Sequence, residues 1–472
     1  MTRERLVPLI IAVALFMENM DSTVIATSLP AIAADIGTSP LALKLAVTSY
    51  LLSLAIFIPA SGWTADRFGA RTVFRAAIAV FVIGSIACAF AGSLTGFVLA
   101  RIVQGIGGAM MTPVGRLILV RAIDRRALVG AMVWVTLPAL IGPVLGPPVG
   151  GFITTYFTWH WIFLINVPIG LVGIALVTRY IENIRVTAPP PFDFPGMVLA
   201  GLGVGGLAFG LSVLGLDYLP WPIVTALLVG GAIASAIYVR HARRTPAPVL
   251  DLTLLSLPTF RASIIGGFFF RLGAGALPFL LPLLLQVGFK LTPFQSGLIT
   301  FSSALGAMGM KTAVPAILKA FGFRTVLTVN ALVSSALLAA CAAFQPGMPF
   351  PVIIAILLVS GFFRSLEFSS INAIAYADVE PERVGRATAL VSVAQQLSLS
   401  TGVAIGALAV ELTVRFNDHA VITAADFPPA FLLVGALATL SAPVFWRLPA
   451  DAGAELADRT PAPTEASDQR VG

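Results

Sequence analysis

Long apolar runs alternate with short polar breaks along the whole chain. Fourteen runs approach the length of about 20 residues that a helix needs to cross a bilayer. They fall near 6–33, 42–62, 72–92, 96–119, 127–153, 160–180, 195–216, 220–239, 260–286, 293–316, 325–343, 350–375, 384–412 and 428–447. The breaks are short and marked by Gly and Pro, so the pattern predicts an all-α polytopic membrane protein. From Pro449 on, a mixture of Ala, Pro, Asp, Glu and Thr predicts a disordered cytoplasmic tail over 449–472.

The first run is broken where it should be most apolar. Phe16–Pro30 continues the stretch from Leu6, yet it holds Glu18 and Asp21. A charge at mid-membrane costs roughly 2.5–3.5 kcal/mol on insertion scales, so such residues face a bundle interior or a watery cavity. Three residues apart on a helix, the two acids share a face. Arg3 and Arg5 before the run and Ala31-Ile32-Ala33 after it imitate a secretory signal. The run is too long for one and carries two acids, so it reads as the first span.

The other charges inside runs are Arg101, Arg116, Arg271, Arg364 and Glu367. Bases there outnumber acids, four against three, which predicts a cavity not tuned for dications. Neutral or anionic amphiphiles fit such a set as well as lipophilic cations do. Arg364 and Glu367, one turn apart, are expected to pair locally. Asn19, Gln395 and Gln396, with Ser369, Ser370 and Asn372, are candidates to line the cavity beside Glu18; polar contact between helices is the plainer reading.

Composition sharpens the class. The chain is 58% hydrophobic and 11% charged, with mean hydropathy +0.95; soluble domains carry about 25% charged residues. The net charge of +7 lies in the breaks: twenty-two Lys and Arg fall on one side of the runs and three (Lys44, Lys290, Arg415) on the other. That bias puts both termini in the cytoplasm and explains the charge without nucleic acid. Cys88 and Cys341 sit singly in mid-run and His160, His241 and His419 are scattered, so no disulfide framework, metal site or cofactor is expected. Gly306–Thr312 faintly imitates a phosphate-binding loop, but lacks the Gly before Lys311 and lies in a run. No nucleophile–base set appears, so an enzyme is not expected.

The chain repeats itself. Phe68-Gly69-Ala70-Arg71-Thr72-Val73 recurs as Phe321-Gly322-Phe323-Arg324-Thr325-Val326, an offset of 253 that Cys88 and Cys341 share. Each copy links a second and a third run. This predicts two six-helix bundles, 1–185 and 251–448, with two inserted helices over 186–250, and a substrate site between the halves near the midplane.

Between the second and third runs stands Gly62-Trp63-Thr64-Ala65-Asp66-Arg67-Phe68-Gly69-Ala70-Arg71. Asp66 suits a helix N-terminus of the other half, and Arg67 and Arg71 suit acids such as Glu380 or Glu382; an ordinary positive loop is the alternative. In the fifth run, Gly142, Gly146, Gly150 and Gly151 permit close helix approach, while Pro143, Pro147 and Pro148 distort the ladder.

The Gly62–Arg71 loop resembles the signature loop of the major facilitator superfamily. Met20–Ile25 through Leu29-Pro30 resembles the first-span motif of its fourteen-span drug–proton antiporter family (EmrB/QacA type). Leu99–Gly108 resembles the fourth-span motif, Gly142–Gly151 the fifth-span motif associated with export, and Trp159–Gly170 the opening of the sixth span. In the second-half loop Lys319 replaces Asp66, so only the first half should carry the full lock.

The resemblance implies a major facilitator fold and antiport. Asp21 is the expected proton site, helped by Glu18 and balanced by Arg101. With Arg101 close, Asp21 stays ionised; when the partner moves or substrate arrives, it takes a proton. A permanent pair fastening the first and fourth spans is the alternative. Gly62, Asp66, Arg67, Gly69 and Arg71, with Gly142, Pro143, Gly146, Pro147 and Gly150, are expected to form the gate. The expected function is proton-coupled efflux of small amphiphiles across a bacterial inner membrane by a monomer, with protons as the coupling ion. A dedicated metabolite or lipid exporter, or a sensor that moves nothing, are the other readings.

Overall fold

The structure, a computed structural model, describes residues 3–123, 125–186, 191–216 and 218–457, without the side chains of 3–5, 125–133 and 135–140. Among the described residues there is no strand. Fourteen helices carry the architecture: α1 Arg3–Val24, α2 Lys44–Phe57, α3 Ala70–Ala89, α4 Leu94–Ala122, α5 Arg125–Tyr156, α6 Asn166–Tyr180, α7 Phe194–Val213, α8 Trp221–Ala242, α9 Pro258–Leu283, α10 Pro293–Lys311, α11 Phe323–Ala340, α12 Phe350–Ile374, α13 Val384–Phe416 and α14 Pro428–Thr439.

Twelve helical segments among the described residues are long and apolar enough to span a bilayer, against the fourteen expected. The two runs not among them are α5 and α10. Hydroxyl, Gln and Gly positions dilute α10 (Gln295, Ser296, Gly297, Thr300, Ser302, Ser303), and most side chains in the first half of α5 lie outside the description.

The repeat is visible in the backbone. A short helix, Ser61–Phe68 in one half and Val314–Phe321 in the other, ends at a glycine with positive φ, +92° at Gly69 and +75° at Gly322. Each glycine supplies the sharp turn into the next long helix, a conformation costly for any other residue.

In the first half α1 packs on α5, and α3 on both α4 and α6; in the second, α10 packs on α12, and α9 on both α13 and α14. The halves meet along α5·α10 and α2·α13. The inserted pair lies outside the second seam, with α7 against α2 and α13 and α8 packed on α7. Only 22% of the apolar window of α8 is buried inside the protein, against 78% for the segment containing α9, so α8 faces lipid and α9 the centre.

The tail departs from expectation. Residues 450–457 form turns, with Ala457 buried and Gly453 close against Phe323 and Ile374. Ala and Gly there are small enough to dock on the apolar end of α11. The rest of the expected tail lies outside the described residues.

Candidate functional site

Asp21, near the end of α1, is 1% exposed. Its Oδ2 accepts from Arg101 Nη1 at 2.7 Å, and its Oδ1 accepts from Gln104 Nε2 at 2.8 Å and from Asn166 Nδ2 at 3.0 Å. Arg101 and Gln104 stand three apart on α4 and so share a face; Arg101 Nη1 also donates to Gln104 Oε1 at 2.6 Å. Ser85 of α3 closes the set, accepting from Gln104 at 2.7 Å and Asn166 at 3.1 Å. Gly84 lets the α4 backbone come this close, since a side chain there would overlap Gln104. The Arg101 guanidinium lies 4.1 Å from the Tyr50 ring centroid, in cation–π range. Four helices thus converge on one buried carboxylate, which is sealed from both faces of the molecule in this conformation.

Glu18, one turn earlier, is half-buried and accepts from Thr112 of α4 at 2.8 Å. Gly108 brings Glu18 and Tyr50 together: a Cβ there would sit 3.1 Å from the Tyr50 hydroxyl and 3.8 Å from Glu18 Cγ. Asn19 faces α5 rather than a cavity: its Cβ lies beside Gly142 and its amide donates to Leu15 O at 2.8 Å.

The fifth-run glycines do what their spacing predicts. Gly142, Gly146 and Gly150 abut α1 at Met20, Thr23 and Val24. Gly151 meets the backbone of Pro293 on α10, and Gly297 of α10 meets that of Pro147. Gly142, Gly146 and Gly150 thus seat α5 on α1 within the first half, while Gly151 and Pro147 join it to α10 of the other half at the end remote from the Gly62–Arg71 loop. Gln286 Nε2 donates to Thr27 O at 2.9 Å, Phe294 N to Thr155 Oγ1 at 3.0 Å, and buried Lys44 pairs with Glu411 at 3.5 Å at that same end.

The loop itself bonds within its own half. Asp66 pairs with Arg121 at 2.6 Å, Arg71 donates to Ile181 O at 3.4 Å, and Gly69 lies against Asn183. Among the described residues Asp66 caps no helix of the other half, and no ion pair joins Arg67 or Arg71 to Glu380 or Glu382. Arg121 ends α4 beside the loop, so Asp66 meets a closer cation first. Gly62 borders open space.

In the second half the expected Arg364–Glu367 pair does not form. Arg364 Nη2 donates to Ser303 Oγ of α10 at 2.8 Å, while Glu367 Oε2 accepts from Asn330 Nδ2 of α11 at 2.8 Å. Two neighbouring helices divide the residues between them. Arg271, fully buried, donates to Asn372 at 2.7 Å and lies 5.3 Å from the Phe368 ring centroid.

Between the halves lies a cavity of about 270 Å³, bounded by α1, α5, α9, α10 and α12. Arg364 lines it; Glu18, Asn19, Arg271, Glu367, Gln395 and Gln396 do not. Thr23, Thr27, Thr300, Ser303 and Lys311 supply the other polar wall, and none was singled out as a cavity residue from sequence. Gln104 and Asn166 were likewise visible only as parts of motifs; the three-residue spacing from Arg101 to Gln104 was the available signal. No group of three or more His, Cys, Asp and Glu that could hold a metal occurs among the described residues.

Residues 11–260 and 263–468 match the Major Facilitator Superfamily, and the chain belongs to it. It is a multi-pass membrane transporter, not an enzyme. It is 38% identical over 452 residues to a protein of Salmonella typhimurium named "Putative multidrug resistance protein MdtD", covering 94% of each. The fold resembles a D-xylose–proton symporter (TM-score 0.67, 14% identity, 95% of this chain and 98% of that one). It also resembles the nucleoside transporter NupG (TM-score 0.63, 14% identity, 94% and 99%).

Proposed function

We propose that this chain is a fourteen-span, proton-coupled antiporter that exports small amphiphilic compounds by alternating access. The observation that carries the reading is the buried Asp21 carboxylate, held by Arg101, Gln104 and Asn166 inside the first half. A buried acid paired with a movable base is the elementary device for coupling a proton to a conformational change. Kinship with the multidrug resistance relatives supports the efflux direction.

On this reading α5 and α10 are the remaining two spans. At 32 and 19 residues both fall at or above the lower end of the range of about 17–25 residues found in spanning helices. The arginine-rich end is cytoplasmic, in a bacterial inner membrane, and this conformer is the one loaded from inside. The remote end is latched by Thr27, Thr155 and Lys44, while Lys311 at the cavity mouth is exposed. Asp66 and Arg121 brace the loop for the opposite state, α5 and α10 form the external gate, and the unit works as a monomer with protons as its coupling ion.

The test is substrate-dependent proton movement in proteoliposomes containing the whole chain and a trapped pH dye. Adding a transported amphiphile should change lumenal pH in a way a protonophore abolishes. A full compound panel that moves without any pH signal refutes the coupling.

A further inference from the structure

Resting on the transporter reading, the cavity wall allows the cargo to be narrowed. Among the described residues its charged lining consists of Arg364 and Lys311, with no Asp or Glu. Arg364 is tied to Ser303 Oγ at 2.8 Å and Lys311 to Ser369 Oγ at 3.4 Å, both neutral hydroxyls. Among the described residues neither cation has an acid within ion-pair distance. The acids nearest in sequence logic are spoken for elsewhere: Asp21 by Arg101, Glu18 by Thr112, Glu367 by Asn330. A cation held against apolar walls without a counter-charge is costly, and a ligand carrying the opposite charge removes that cost.

The two cations are also staggered. Ser303 and Lys311 are eight positions apart on α10, about 12 Å along its axis. Exposed Lys311 stands at the mouth, where it raises the local concentration of anions. Arg364 stands deeper, with the Ser303 hydroxyl beside it, a fork suited to a planar or tetrahedral oxyanion. Around it Leu277, Leu281, Pro282 and Met308 offer an apolar surface for the rest of the molecule.

We propose that the cavity selects amphiphilic anions, compounds with one carboxylate, sulfonate or phosphate head and an apolar body, with Arg364 holding the head and Lys311 guiding entry. Lipophilic cations are disfavoured because nothing in the wall neutralises them.

The test uses three probes with one skeleton: 2-naphthalenesulfonate, 2-naphthylmethylammonium and 2-naphthylmethanol. Binding to the purified full-length protein is measured by calorimetry in detergent, and flux in proteoliposomes. The sulfonate should bind about tenfold more tightly than either other probe, as a charge-assisted pair allows. Arg364→Gln should remove most of that preference and Arg364→Lys should keep part of it, with unfolding midpoints confirming that both variants fold. An ammonium probe that binds as well as the sulfonate, or a preference untouched in Arg364→Gln, overturns the proposal. Selective sulfonate binding without any flux upholds the charge preference and strikes only the transport reading.

Discussion

At the scale of single residues, the site is a network of donors and acceptors around Asp21, in which Arg101 Nε and the Tyr50 hydroxyl are left without a partner. Gln104 is its hub: it donates to Asp21 and Ser85 and accepts from Arg101. Replacing it by Leu removes these three hydrogen bonds, at about 0.5–1.5 kcal/mol each. Gln104→Leu, which loses three hydrogen bonds, should therefore lower the thermal unfolding midpoint more than Ser85→Ala, which loses two, and equal midpoints would mean that Gln104 is not the hub. A second cluster lies outside the spans. Burial would raise the Asp251 carboxyl, but hydrogen bonds from Thr253 and Arg383, with the Arg383 charge, outweigh it and hold Asp251 below its usual 3.8. A depressed acid stabilises the fold above its unfolded value, and that contribution is lost as pH falls through the lower folded value. The gap in unfolding midpoint between the native chain and Arg383→Gln should be widest near neutrality and shrink below pH 3.8; a gap independent of pH would contradict the assignment. Sequence made Asp21 and Arg101 legible because a charge in an apolar run stands out. It hid Gln104, Asn166 and Ser85, since neutral polar residues in a helix carry no such signal until tertiary neighbours are known.

At the scale of elements, glycine spacing was readable and partner choice was not. The i, i+4 glycines of α5 announced close approach, and α1 and α10 are the helices that approach. Arg364 and Glu367 show the opposite case: one turn apart on a single helix, they are drawn to α10 and α11 by Ser303 and Asn330. Local spacing permits a pair; it does not outrank a better-placed neighbour. The seam makes a mutational contrast. A side chain at Gly151 meets the Pro293 carbonyl and Phe294 backbone, whereas one at Gly62 meets nothing within 4 Å. Gly151→Val should wedge α5 from α10 and raise the reactivity of a cysteine at Thr27 toward an impermeant maleimide added outside. Gly62→Val should leave it unchanged, and equal reactivity in both would show that the α5·α10 contact does not close that end.

At the scale of the whole molecule, two halves repeat one plan and diverge in their chemistry. The first keeps an acid–base pair, Asp21 with Arg101, sealed within one bundle; the second places an unpaired Arg364 on the shared cavity. The sequence repeat around Gly69 and Gly322 corresponds to the same positive-φ turn at the end of a short helix in both halves. The cavity was not legible, because its wall is assembled from five helices far apart in the chain. On the proposed reading, coupling would run from Asp21 through α1 and α5 to the cavity between the halves.

The most direct test removes the charge at Asp21 while keeping its shape. Asp21→Asn and the native chain should be compared in proteoliposomes for substrate-driven proton flux and for substrate exchange with no gradient. The account predicts that Asp21→Asn exchanges substrate but moves no protons and cannot concentrate cargo against a gradient. Accumulation driven by a pH gradient in Asp21→Asn at the native rate would contradict it.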